Sequence, residues 1–308
     1  METGAPDPTV HRRRLRSELR KSREIAGFTQ RDTARAMDWS LSKLIRIETG
    51  AVSISTNDLR ALVAHYGITD QTRVDALLTL ARAARERSPW SAYKDLVSPE
   101  FVSFLGYESA ASVIRNFEPL LIPGLLQTED YARDVIRELE GPDKRRVDAL
   151  TDVRMERQEV LNRDDPPSLH CVLDEAVIRR VVGATDVMRR QLRHLKELAQ
   201  RPKITIRIMP FSQGMYPRLR VPYVLFEFPD PLDEDILYIE NPQGEMIVRE
   251  AATEEASNVT PVVYLEVFFQ LEQLARQEGS MSMIDSALAD LPRAEPIDDD
   301  AELNEVPA

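Results

Sequence analysis

Along the first quarter of the chain, apolar residues recur at three- and four-residue intervals behind polar capping residues, the pattern of short amphipathic helices. Leu15, Leu19 and Ile25 make an inward stripe from Arg12 to Ala26, ended by Gly27, a residue suited to a left-handed helix cap. Thr29 precedes a run with Ala34 and Met37 inward, and Ser40 precedes one with Leu44 and Ile47 inward. Ser55 opens a helix through Leu59, Leu62 and Val63 that ends at Gly67. Asp70 caps another, carrying Val74, Leu77, Leu78 and Leu80. The pattern predicts five helices closing a small bundle near Arg87.

Ser88-Pro89-Trp90-Ser91 breaks this rhythm, and Pro, Phe and Tyr become more frequent. Helical spacing is predicted over 109–117, from Thr128 to Leu139, and from Asp143 to Leu161. Beyond Pro166-Pro167 the period changes. Leu169 to Leu173 and Ile204 to Met209 read as strands, with helices over 176–182 and 186–199 between them. Tyr223 to Phe228, Ile236 to Ile239 and Met246 to Arg249 complete a predicted sheet, with turns at Pro229-Asp230 and Gln243-Gly244, and an amphipathic helix covers 259–276. The predicted fold class is mainly α with α+β, a five-helix domain followed by a mixed helix and small-sheet domain. The expected boundaries are a flexible start over 1–11, the helical domain over 12–87, the mixed domain over 88–277, and a disordered acidic tail over 278–308.

Charge sharpens the division. The 308 residues carry a formal net charge of −12, yet residues 12–46 hold 11 Lys or Arg against 4 Asp or Glu. Residues 1–87 hold 16 basic against 11 acidic, leaving 24 against 41 for the rest. Positive charge is thus concentrated on the helical end, as binding to a polyanion requires. No apolar signal core opens the chain and no run approaches the roughly 18 apolar residues of a membrane span. A single cysteine, Cys171, rules out an internal disulfide and fits a reducing cytoplasm.

The segment from Thr29 to Gly50 reads as two helices joined by a tight turn, a helix-turn-helix, and makes a double-stranded DNA operator the expected partner. After the Ser40 cap, Leu41, Ser42 and Lys43, with Arg46 one turn on, are placed to meet base edges and phosphates. Gln30 opens the first motif helix, where its amide approaches a phosphate. Arg12, Arg13 and Arg14 are a basic run of the kind usually solvated, with an added phosphate contact as the sharper reading. Glu48 fits a structural salt bridge. One helix reads few base pairs, so two half-sites and a homodimer held by the second domain are expected.

Catalytic chemistry finds little support. His170 and Cys171 point to opposite faces of a strand, and His11, His65 and His194 lack metal-ligand spacing, so no metal or cofactor is expected. Gly183 and Gly214 stand outside any glycine-rich phosphate loop. Asp233-Glu234-Asp235 reads as a solvated turn. Met215, Tyr216, Tyr223 and Phe226 line either a ligand or partner pocket or ordinary core. The alternative to a DNA-binding regulator is an enzyme acting on a nucleotide or small metabolite, fused to a DNA anchor.

The stretch from Phe28 to Gly50 resembles the Xre-type, lambda-repressor-like helix-turn-helix, and its Trp39-Ser40-x-Ser42-Lys43 turn resembles the version in the actinobacterial WhiJ-like regulators. Phe117 to Ala132, Val153-Arg154-Met155-Glu156-Arg157-Gln158, Leu173-Asp174-Glu175 and Phe226-Glu227-Phe228-Pro229-Asp230 resemble that subfamily's C-terminal domain. Thr33 stands where leucine is usual, and Asp38 where glycine is usual at the turn. Asp38 is among the few residue types that tolerate a left-handed conformation there. The resemblance implies transcriptional regulation with antitoxin-like pairing to a small protein encoded nearby.

Overall fold

The computed structural model describes residues 7–230, 232–241, 244–249 and 258–292. Five helices come first: α1 (Pro8–Ile25), α2 (Gln30–Ala36), α3 (Leu41–Thr49), α4 (Thr56–His65) and α5 (Gln71–Ala83). They enclose one core, with Leu44, Leu59 and Leu62 fully buried and Leu19, Ile47 and Val63 nearly so. Thr29, Ser40, Ser55 and Asp70 cap α2 to α5 as their positions predict, each side chain accepting a backbone N–H. Gly27, Gly50 and Gly67 end α1, α3 and α4 with φ of +76°, +75° and +73°, values that favour glycine.

The expected flexible start is corrected over its described part. Asp7 accepts from the Thr9 N–H at 2.8 Å and caps α1 from Pro8 onward. Val10 is 3% exposed and belongs to the core of the second domain. Helix α6 (Pro99–Ala110) approaches this first turn through Gly106, where a Cβ would stand 2.4 Å from Thr9 Oγ1. Ser88 Oγ donates to Asp7 at 2.8 Å, so the α1 N-terminus is shared by both domains.

The second domain is a six-stranded sheet: β1 (Val113–Glu118), β2 (Ser168–Asp174), β3 (Ile204–Met209), β4 (Tyr223–Glu227), β5 (Ile236–Asn241) and β6 (Gly244–Arg249), ordered β3-β2-β1-β4-β5-β6. β1, β2 and β3 run parallel; β4, β5 and β6 continue antiparallel from β1. The crossovers use α7 (Glu129–Glu140), α8 (Lys144–Gln158), α9 (Glu175–Arg179) and α10 (Thr185–Leu198), which share one core with α6 and the sheet face carrying Ile114, Leu169, Cys171, Ile206 and Phe226. α11 (Pro261–Leu274) packs on the other face, over Phe117, Val172, Tyr223, Leu225 and Leu237.

Two further expectations are corrected. The segment 109–117, read as helical, supplies the central strand β1: Phe117 is fully buried and Ile114 1% exposed, and pairing with β2 on one side and β4 on the other outweighs the local spacing. The acidic tail expected from 278 begins with α12 (Gln277–Asp290), whose Ile284 and Ser280 are fully buried and whose Ser280 Oγ accepts from the Ile208 N–H at 2.9 Å. Its apolar residues are few but fall on one face, against β3, α9 and α10. Residues 293–308 of that tail lie outside the described residues. Gln243 of the predicted turn also lies outside them.

Candidate nucleic-acid interface

The local sequence builds the helix-turn-helix with both capping devices in place. Thr29 Oγ1 accepts from the Asp32 N–H at 3.2 Å while Asp32 accepts from the Thr29 N–H at 3.3 Å, a reciprocal capping box. At the turn Asp38 takes φ of +54°, and the Trp39 N–H reaches back to the Ala34 carbonyl at 2.8 Å. Aspartate therefore serves where glycine is usual. Ser40 Oγ then accepts from the Lys43 N–H at 3.2 Å and starts α3.

Leu44 and Ile47 point α3 into the core, which leaves Leu41, Ser42, Ile45, Arg46 and Thr49 as one exposed stripe. Leu41 and Ile45 are each 37% exposed, an unusual outward placement for apolar side chains that suits contact with thymine methyl groups. Ile45, and Arg31 and Arg35 exposed on α2, were missed by sequence reasoning. Their i, i+4 spacings with Leu41 and with each other were the available signal.

The expected contact residues divide. Ser42 and Arg46 are exposed; Ser40 is exposed but spends its hydroxyl on the cap. Lys43 Nζ lies 3.9 Å from the Trp39 ring centroid and 3.2 Å from Asp58, so its ammonium straps the turn to α4. Its side chain is 40% exposed, and an ion pair so open to water is weak enough for a phosphate to displace. Gln30 donates to Glu48 at 2.7 Å, and Glu48 also accepts from Arg23 Nε at 2.7 Å. Glu48 thus ties α1, α2 and α3 together, the structural role its charge implies. Gln30 spends one of its two amide N–H groups in that network.

The basic run at the start of α1 is corrected from solvated to structural. Arg12 donates to the Ala84 carbonyl at 2.8 Å and the Glu86 carbonyl at 2.7 Å. Arg13 is 4% exposed, 4.5 Å above the Phe228 ring and 3.8 Å from Asp233. Arg14 pairs with Asp230, and Lys21 with Glu234 at 3.2 Å. The Asp233-Glu234 turn is accordingly an acidic seat for α1 rather than a solvated loop.

In the second domain the four expected pocket residues do not gather. Tyr223 is 1% exposed on the α11 face, Phe226 is fully buried on the opposite face, and Met215 is 80% exposed. Three residues along a strand reverse the face, a consequence of the period of two. Tyr216 is buried and donates its hydroxyl to Asp174. Cys171 is buried, and burial, with the charge of Glu118, pushes its thiol pKa up, which makes it inert. His170 faces the other way, 3.6 Å from Glu272.

The Leu125-Leu126-Gln127-Thr128 stretch is held by internal struts. Gln127 donates to the Ile122 carbonyl at 2.7 Å and accepts from Arg154 at 2.7 Å. Gln158 donates to the carbonyls of Gly124 and Gln127, at 2.9 and 2.7 Å. Arg157 makes a buried, two-pronged pair with Glu108, both contacts at 2.8 Å. The paired motifs 117–132 and 153–158 are two halves of one joint.

Residues 101–263, more than half of the chain, match the family described as "Domain of unknown function (DUF5753)". The chain belongs to that family. Residues 14–77 match a helix-turn-helix domain, so α1 to α5 form a helix-turn-helix DNA-binding domain of a regulator type. No curated protein and no solved structure matches the chain. Among the described residues no helix is long and apolar enough to cross a membrane.

Proposed function

We propose that this DUF5753 family member is a sequence-specific transcriptional regulator of the WhiJ-like, Xre-type kind. It binds its operator as a homodimer and answers through its second domain to a small protein partner encoded nearby. The observation that carries the reading is the outward stripe of α3: two apolar residues, a serine and an arginine presented together behind a well-formed cap. Leu41, Ser42 and Arg46 read base edges, Lys43 and Gln30 meet phosphates, and Ser40 holds the helix start in position. One such stripe covers too few base pairs for a unique address, which is why two copies are needed. An acidic second domain favours rapid encounter with a basic partner. That partner switches the regulator only if it binds the free and DNA-bound forms unequally.

The test is operator selection followed by gel shift with Lys43→Ala and Arg46→Ala. Each is expected to weaken binding by on the order of 1 to 3 kcal/mol where a base edge is lost, or to flatten the salt dependence where a phosphate contact is lost. Unchanged affinity in both variants would remove α3 from the interface. Sedimentation of the full chain tests the dimer, and titration of the neighbouring gene product with and without operator tests the switch.

A further inference from the structure

Between α1, the loop joining α3 to α4, and the end of α5, the DNA-binding domain leaves a cavity of about 520 Å³. Small side chains make the space. The buried face of α5 carries Leu77 and Leu78, then Ala81 and, at its cap, Ala84, and the two alanines line the cavity where leucines would fill it. Leu15 and Leu19 from α1, Ile47 from the last turn of α3 and Ile54 from the loop form its floor, none more than 7% exposed. Apolar atoms that face such a space lack the dispersion contacts a filled core supplies.

The rim is cationic. Arg12, Arg16 and Arg85 line it, and no lining residue is acidic. Arg12 commits its donors to the Ala84 and Glu86 carbonyls, as described above. Arg16 runs across Gly50: it donates to the Thr49 carbonyl at 2.5 Å, and a Cβ on Gly50 would stand 2.5 Å from its Cδ. Only glycine permits that crossing, and the φ of +75° asks for glycine as well. Arg85 is exposed, donates to Thr56 Oγ1 at 3.1 Å, and has no carboxylate within 4.0 Å among the described residues. A neutral oxygen holds a guanidinium in place without cancelling its charge.

We propose that this cavity binds a straight-chain carboxylate such as octanoate. The tail lies on Leu15, Leu19 and Ile47, and the carboxylate meets Arg16 and Arg85, whose planar forks match its two oxygens. A purely structural role for the arginines accounts for their hydrogen bonds but not for the apolar space behind them. A DNA phosphate accounts for the charge but not for the floor. An anion with an apolar tail accounts for both, and the volume lies within the roughly 300 to 1,000 Å³ of pockets that enclose small ligands. Ile47 and Gly50 are the last turn and the cap of α3, so the occupant rests against the helix that presents Arg46.

The test is calorimetry on the full chain at low salt with butyrate, hexanoate, octanoate and decanoate, and with octylamine, octanol and inorganic phosphate as contrasts. The expected result is saturable binding that tightens about fourfold per added methylene until the space is full, and that octylamine and phosphate do not show. Octanol should bind about tenfold more weakly than octanoate, or worse. Arg85→Glu reverses a rim charge at an exposed position and should weaken octanoate by about tenfold or more. Ala81→Met fills the space and should remove the dependence on tail length. The tail-length series on the unsubstituted protein needs no variant, and Arg85→Glu leaves the core untouched, so the proposal stays falsifiable even where Ala81→Met does not fold. Absence of octanoate binding at about 10 mM, where even a millimolar site fills, overturns it. So does an affinity indifferent to tail length, equal binding of octylamine or phosphate, or parental affinity in both folded variants. These outcomes read ligand binding rather than operator affinity, so this proposal and the DNA reading fail separately.

Discussion

Helices α1 and α3 belong to one domain and both carry arginines, yet α1 turns Arg12, Arg13 and Arg14 toward protein acceptors whereas α3 leaves Arg46 in solvent. The density of positive charge is greater on α1, where a DNA interface would be sought by counting. What separates the helices is what lies opposite them. α1 faces the end of α5 and the Asp230–Glu234 turn of the second domain, which consume its charge, while no described element covers the outer stripe of α3. Local charge density therefore marks a domain, and the supply of partners decides which residues in it remain available to a ligand.

The largest effect is expected at Arg157, an internal arginine that is 6% exposed. Arg157→Met leaves Glu108 buried and unpaired, and is expected to cost about 3 to 5 kcal/mol in chemical denaturation. A loss below about 1 kcal/mol would show that the joint between α6 and α8 tolerates an unmatched carboxylate.

Arg13→Ala tests the internal fate of α1 directly. Losing the Phe228 contact and the Asp233 partner should lower stability by about 2 to 4 kcal/mol, with operator affinity of the folded protein changed much less. Arg46→Ala should do the opposite: stability within about 0.5 kcal/mol of the parent, because the side chain is exposed, and a clear loss in the gel shift. If Arg13→Ala instead reduced affinity while leaving stability intact, the division between the helices would collapse.

A smaller effect, read from pH, concerns Glu118. Unfolded, it loses its proton near 4.5; folded, near 8, because of burial and Glu240. The folded state holds more protons between those values, so stability from this group falls as pH rises from about 4.5 to 8 and stays low above. Glu118→Gln should remove that slope and raise stability at pH 8 by on the order of 2 kcal/mol, after allowance for its partial exposure. Urea midpoints at pH 5 and pH 8 in both proteins check it. An unchanged slope would place Glu118 in an ordinary solvated setting.

Much of the DNA-binding domain was legible because its signals are local. Thr29, Ser40 and Gly50 act on residues within one turn of themselves, and Leu44 and Ile47 mark their face by spacing alone. The Asp38 conformation follows from its side-chain chemistry. The strands β2 to β6 were readable through alternating β-branched and aromatic residues, whereas β1 was not: Arg115, Asn116 and the preceding α6 blurred its pattern, and its identity depends on two neighbours far along the chain.

Residues close in sequence set where helices start and stop, which side chains they turn inward, and that positive charge gathers at one end. Which charges were already spent depended on contacts between distant parts of the chain. Arg13 met Phe228 and Asp233 across more than 200 residues, Arg157 met Glu108, and Glu118 met Glu240 across an intervening strand. Caps and periodicities are set by neighbours along the chain, which a sequence displays; ion pairing and desolvation are set by neighbours in space, which only the folded backbone assembles.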